Sequence, residues 1–170
     1  MQLQEIKYQR FQKEITNLRQ LAWGSEIKPY PFNKVIFDEL DKNDKTKHWG
    51  VFHENELVGT CRLSVLSSID ELPYSELFSG LDLAPFTNFA FYSRLVIHPD
   101  FRGRGLANQL DEVRIQTIKN LDIKLTIATA RDWRLHYLQK EGWKLVKKID
   151  QYFVDKYKLS NTSILKLSYD

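Results

Sequence analysis

Leu95-Val96-Ile97-His98-Pro99-Asp100-Phe101-Arg102-Gly103-Arg104-Gly105-Leu106-Ala107 decides how the rest of the chain is read. Its first three residues end a mostly apolar run from Phe89 to Ile97, which reads as a buried strand. Pro99 cannot donate a ladder hydrogen bond, so the strand stops there. Two glycines alternating with arginines follow, and Leu106, Leu110, Val113 and Ile118 then mark a helix ending near Asn120. Glycine lets the backbone curl so that successive N–H groups converge on one point. The helix N-terminus adds donors and partial positive charge, and Arg102 and Arg104 bring forked donors that suit phosphate oxygens. These features predict an anion site for a phosphate or pyrophosphate. A tight strand-to-helix turn with arginines directed at solvent competes for the same Gly-x-Gly. Neither Gly-x-x-x-x-Gly-Lys-Ser/Thr nor Gly-x-Gly-x-x-Gly is present.

Before this loop, Leu3–Tyr8 reads as a short strand, and Phe11, Ile15, Leu18 and Ala22 form a helix closing at Gly24. A second short helix is expected over Asn33–Leu40, capped by Asn33, with Val35, Ile36 and Leu40 facing inward. Strands near His48–Glu54 and Leu57–Leu66 flank a hairpin turn, with Thr60, Arg62 and Ser64 alternating against Cys61, Leu63 and Val65. Periodicity is lost from Ser67 to Asn88, where Asp70 is expected to cap a short helix toward Phe78 that Gly80 ends. A connection this long is usually functional or mobile. After the loop, Lys124–Ala130 reads as a strand, Asp132 as the cap of a helix reaching Glu141, and Gly142 as its stop. Trp143–Ile149 and Ser163–Tyr169 close the pattern as strands. This order predicts one domain over residues 1–170, of the α/β (α+β) class, with a mixed sheet and helices on its faces.

At 170 residues the chain is long enough for one sizeable core. A net charge of +3 is far from the dense basic stripe of a nucleic-acid binder but compatible with a small anionic ligand. Cys61 is the lone cysteine and makes no internal disulfide, so nothing points to an oxidising compartment. Met1–Glu5 lacks the apolar run of a secretion signal, and no stretch approaches the roughly 20 apolar residues that span a bilayer. The expectation is a cytoplasmic protein that meets neither membrane nor nucleic acid.

Arg102-Gly103-Arg104-Gly105-Leu106-Ala107 resembles the Arg/Gln-x-x-Gly-x-Gly/Ala signature of the GNAT superfamily of N-acetyltransferases. Arg94–Phe101 is similar to the strand and His-Pro lead-in common there, and Tyr137–Trp143 resembles the helix that commonly ends in Gly-Phe. The detailed match runs from Tyr92 to Trp143. The resemblance implies a mostly antiparallel sheet of about six to seven strands flanked by helices, and acetyl-CoA or another acyl-CoA as co-substrate. Backbone amides at Arg102, Gly103, Arg104, Gly105, Leu106 and Ala107 would hold the coenzyme A pyrophosphate. Leu95, Val96 and Ile97 would bond the pantetheine arm, with one amide polarising the thioester carbonyl.

The implied reaction is direct attack of a primary amine, on a small molecule or protein, upon the thioester. Family members commonly take the proton donor from a Tyr four residues before the Gly of Gly-Phe. Here that position is Leu138, and its neighbour Tyr137 is the candidate acid, although one residue is about 100° around a helix. The Asn often found seven residues before that Tyr is Arg131 here. No carboxylate on the strand offers a base. Ser93 and Arg94 are its polar residues, and Arg94 would bind an anionic acceptor or pair with a carboxylate.

The four histidines have no ligand spacing, so no metal is expected. Cys61 lacks a paired base, and His98 reads as a loop structural residue. Trp133, Tyr137 and Trp143 are expected to pack their helix on the sheet. Tyr152, Phe153 and Tyr157 line an acceptor cleft or pack elsewhere, while Lys147, Lys148, Lys156 and Lys158 are ordinary solvated charges. Two rivals remain open: a long-chain acyltransferase using fatty acyl-CoA or acyl carrier protein, and a coenzyme A-binding regulatory module without turnover. A homodimer is admitted.

Overall fold

The computed structural model describes residues 1–24, 36–157 and 162–169. Seven strands hydrogen-bond in the order β1-β2-β3-β4-β5-β7-β6. They are β1 Gln2–Ile6, β2 Thr46–His53, β3 Glu56–Leu66, β4 Phe89–Ile97, β5 Leu125–Arg131, β6 Lys144–Lys148 and β7 Thr162–Ser168. The pairs β1–β2, β2–β3, β5–β7 and β6–β7 are antiparallel, and β4–β5 is parallel. Four helices accompany them: α1 Tyr8–Gly24, α2 Leu106–Asn120, α3 Asp132–Lys140 and α4 Gln151–Tyr157. The chain groups into two compact units, Met1–Ser64 with Ser93–Asn120, and Val65–Tyr92 with Leu121–Asp170.

In the first unit, β1 and β2 run in register from Gln2↔Phe52 to Ile6↔His48. The β2–β3 hairpin turns at Glu54 and Asn55, both with positive φ, as a two-residue hairpin that follows the strand twist requires. Ile15, Leu18 and Ala22 of α1 are buried with Ile6, Leu57 and Val96 in one apolar cluster, at the spacing the sequence predicts. Gly50 and Gly59 permit close approach there. A Cβ at Gly50 would stand 2.7 Å from Leu57 Cδ1, and one at Gly59 3.0 Å from Ile97 Cδ1.

The alternation along β3 does not separate an inner from an outer face. Thr60, Arg62 and Ser64 are as buried as Cys61 and Leu63. Arg62 is affordable there because it is paired, as is Arg19 of α1. Arg19 donates to both oxygens of Asp41, at 2.8 and 2.9 Å, and to the Ile36 carbonyl at 2.8 Å. Arg62 Nη1 lies 3.0 Å from Asp41 Oδ1. Of the helix expected over Asn33–Leu40, Asn33 and Val35 lie outside the described residues. A 3-10 turn, Glu39–Lys42, stands further on, capped by Asp38. Its first carboxylate caps, its third reaches back to the cap N–H, and both also face arginines.

In the second unit, β5 pairs with β7 from Leu125↔Ser168 to Arg131↔Thr162. Between Ser67 and Asn88 the expected helix is replaced by two 3-10 turns, Ile69–Glu71 and Ser75–Phe78. Ser68, not Asp70, caps the first, because Ser68 and Glu71 satisfy each other's backbone donors as a capping box. Asp132 is likewise not a cap. It is the first helical residue of α3, after an N-cap Arg131 that makes no side-chain cap bond. Gly142, at φ +90, ends α3 by a Schellman motif, with Gly142 N–H on the Gln139 carbonyl and Trp143 N–H on Leu138.

Trp143 is buried against Tyr92, but Trp133 is 69% exposed. Leu138 is the buried residue of α3, and a position five residues away falls about 140° around the helix from it. The short α4 was absent from the sequence reading. It carries Tyr152, Phe153 and Tyr157, and Tyr157 packs on Tyr74 with ring centroids 4.3 Å apart. Lys156 pairs with Glu76 at 2.8 Å.

The buried charges of the first unit make stability depend on pH. His48 Nε2 is 3.1 Å from the Asp41 carbonyl, and its ring packs on Tyr8. Burial pushes the imidazole down to about 4, against the opposing pull of Asp41. Between that value and its ordinary 6.5, the unfolded chain binds a proton that the folded chain does not. Stability from this group is therefore complete above pH 6.5 and lost as pH falls toward 4. In urea titrations, the midpoint of the protein is expected to drop steadily from pH 6.5 to 4.5, and His48→Gln to flatten that slope. An equal slope in the variant would place the titrating group elsewhere.

Candidate functional site

The loop that follows β4 is a 3-10 turn, Pro99–Phe101, and then Arg102–Gly105. The His98 ring nitrogen accepts from the Asp100 N–H at 3.2 Å, which gives this histidine a local structural task. Gly103 and Gly105 have φ of +74° and +75°, and a Cβ at either would meet nothing within 4 Å. Here the left-handed backbone, not crowding, requires glycine. The Gly105 carbonyl accepts the Gln109 N–H, so α2 starts immediately after it. The first N–H groups of α2 therefore have no acceptor within the helix. Leu106 and Leu110 are buried and anchor this end. Arg102, Gly103, Arg104, Gly105, Leu106 and Ala107 are thus brought together as one strand–loop–helix corner.

The two arginine side chains make contacts within the chain. Arg102 donates to the Ala22 carbonyl at the end of α1, at 3.1 Å, and to Ile97 at 3.4 Å. Arg104 donates to the Asp100 carbonyl at 3.1 Å and lies over the Phe101 ring. These guanidiniums brace the loop from within the protein.

Upstream, β4 departs from ordinary strand geometry at Arg94, whose φ is +57°. A left-handed conformation costs a non-glycine residue about 1–2 kcal/mol and persists only where neighbours hold it. Here they do. Arg94 Nη2 lies 2.6 Å from Asp38 Oδ2, and its guanidinium stacks over Trp23 at 5.2 Å. Arg62 grips the same carboxylate with two hydrogen bonds, at 2.5 and 3.1 Å, and donates through Nε to Ser93 Oγ at 2.9 Å. Arg114, itself paired with Asp111, donates to the Ser93 carbonyl. Burial alone would raise the Asp38 pKa, but the two guanidiniums hold it below the ordinary carboxylate range. Of the two roles expected for Arg94, the carboxylate pair is present.

Beyond the kink, Val96 is buried and the His98 N–H donates to the Val58 carbonyl at 2.8 Å. Leu95, Val96 and Ile97 therefore span the stretch between a fixed kink and a fixed strand end. Cys61 is buried, with its thiol 3.7 Å from the Leu110 carbonyl, and takes no part in this corner.

In the other unit, Tyr137 is half-buried on α3 with the Arg134 guanidinium over its ring at 5.5 Å, while Leu138 is buried. The helix keeps the register expected from sequence, so an aliphatic side chain occupies the position where the family commonly carries its tyrosine. Asp38 and Trp23 are not singled out by the sequence, and Arg62 reads there only as one face of a strand. Nothing in their spacing sets them apart from an ordinary turn, helix end and strand.

No curated protein sequence matches the chain. Solved structures do, and likeness at these identities shows the fold. FeeM, an N-acyl amino acid synthase from uncultured soil microbes, superposes with a TM-score of 0.76 at 11% identity, covering 98% of this chain and 90% of that one. A polyamine N-acetyltransferase from Drosophila melanogaster gives 0.73 at 15% identity, over 99% and 100% of the two chains. An N-acetyltransferase from Thermoplasma acidophilum in complex with coenzyme A gives 0.64 at 12%, again over 99% and 100%. The family model described as acetyltransferase (GNAT) family matches residues 13–143. With that match covering most of its length, the chain belongs to the GNAT family of acetyltransferases.

Proposed function

We propose that this acetyltransferase-family enzyme moves an acyl group, acetyl in the simplest case, from a coenzyme A thioester to a primary amine. The observation that carries this reading is the paired left-handed glycines, Gly103 and Gly105, opening directly into α2 after a kinked strand. Main-chain amides from Arg102 to Ala107 would hold the pyrophosphate, and Leu95, Val96 and Ile97 the pantetheine arm. The amine lone pair attacks the thioester carbon, whose carbonyl electrons move onto oxygen. Collapse restores the carbonyl and breaks the C–S bond. The nitrogen gives up one proton and the thiolate gains one, leaving an amide and free coenzyme A. Orientation of amine and thioester supplies much of the rate, so the lack of a base on β4 does not oppose the reading.

The polyamine acetyltransferase among the structural neighbours and the N-acyl amino acid synthase make a small-molecule amine the first acceptor class to test. A long-chain donor, on coenzyme A or a carrier protein, is the second reading, and Leu138 in place of the family tyrosine favours it.

Thiol release separates these outcomes. With a panel of polyamines and amino acids, acetyl-CoA is expected to give amine-dependent release. Release only from long-chain thioesters would select the second reading, and coenzyme A binding without any release would leave a binding module. Gly105→Glu places a carboxylate against the pyrophosphate and strains a position at φ +75. It is expected to lower coenzyme A affinity in calorimetry by at least about 100-fold, a loss of roughly 3 kcal/mol, while the circular dichroism of the fold persists. Retained affinity would mean that the phosphate binds elsewhere.

A further inference from the structure

The kink at Arg94 separates the part of β4 that is clamped by charged side chains from the part proposed to meet the donor. From this geometry we infer that Asp38 is a positioning residue for the acyl donor, acting through Arg94 on the backbone of Leu95–Ile97. The inference rests on the proposed coenzyme A site and adds to it the device that shapes the donor strand.

A strand residue at φ +57 turns the following peptide out of the ladder direction, and such a turn relaxes unless it is held. Arg94 is held at its far end, by the Asp38 carboxylate on one side and the Trp23 ring on another. Asp38 is fixed in turn. Arg62, 1% exposed at its side chain, grips both of its oxygens, and the Leu40 N–H donates to Oδ1 at 3.0 Å. The residue before the kink is fixed as well, because Ser93 receives Arg62 on its hydroxyl and Arg114 on its carbonyl. Ion pair and ring therefore converge on the one non-glycine residue of β4 in the left-handed region. Arg94 and Asp38 are also the least buried charges of the group, at 15% and 11% side-chain exposure. Their pairing contributes little to closing the core.

The test exploits the difference between alanine and glycine at a left-handed position. Both substitutions delete the guanidinium, but only glycine accepts φ +57 without cost. Arg94→Ala is expected to weaken coenzyme A binding in calorimetry by roughly tenfold, the equivalent of one left-handed residue. Arg94→Gly is expected to bind within about threefold of the unaltered protein. Asp38→Asn should resemble Arg94→Ala, and adding Asp38→Asn to Arg94→Gly should cost little more, since the clamp then has nothing to hold. Should Asp38→Asn fail to fold because Arg62 is left unpaired, the two Arg94 variants decide alone. Equal donor affinity in Arg94→Ala and Arg94→Gly, whether both fall or neither does, would overturn the inference. Equal donor affinity with a raised acceptor KM in both would assign the guanidinium to the acceptor instead. Failure of the unaltered protein to bind coenzyme A would count against the proposed function, which keeps the two claims apart.

Discussion

Two carboxylates, the buried Asp41 and the half-buried Asp38, accept from three arginines on three different elements, and the first unit is organised around that sharing. Arg19 comes from α1, Arg62 from β3 and Arg94 from β4. Each ion would be costly to bury alone, and removal of one partner typically destabilises by about 3–5 kcal/mol. The cost is offset where the geometry is two-pronged, as for Arg19 on Asp41 and Arg62 on Asp38, and where further donors reach a carbonyl and a serine hydroxyl. Such a network resists sliding. A helix, a turn and two strands that packed through aliphatic contacts alone could shift register slightly, whereas bidentate pairs fix one arrangement. In this protein the arrangement so fixed includes a left-handed residue inside a strand.

That constraint reaches the donor loop through short covalent paths. Three residues separate the kink from His98, whose N–H returns to the β3 carbonyl of Val58, and the glycine corner follows. Arg102 closes the loop against the last turn of α1. The main-chain amides proposed to meet coenzyme A are thereby held between fixed points, and the proposal asks no side chain to recognise the phosphate. This division suits a family whose members differ widely in sequence. Amides are supplied by any residue, so only the conformations must be kept.

The same division explains what could be read from the sequence. Gly103 and Gly105 were legible because a positive φ in an exposed loop selects glycine, and α2 because Leu106, Leu110 and Ile118 repeat on one buried face. The β2–β3 hairpin was legible from Glu54-Asn55. The kink at Arg94 was not, because arginine carries no signature of a left-handed backbone. Its cause lies 56 residues away in Asp38. Arg62 looked like the polar face of a strand, and only tertiary pairing makes such a residue a core one. The 3-10 turns of the second unit and α4 were missed for a related reason. Segments of three to seven residues are too short for periodicity to appear.

The donor is proposed to meet the main chain at residues 95–97 and 102–107. Titrating coenzyme A into isotope-labelled protein and following backbone amide resonances tests this residue by residue. Saturable shifts concentrated at 95–97 and 102–107 are the predicted result. Saturable binding that leaves those amides unmoved would contradict the assignment of this corner as the donor site.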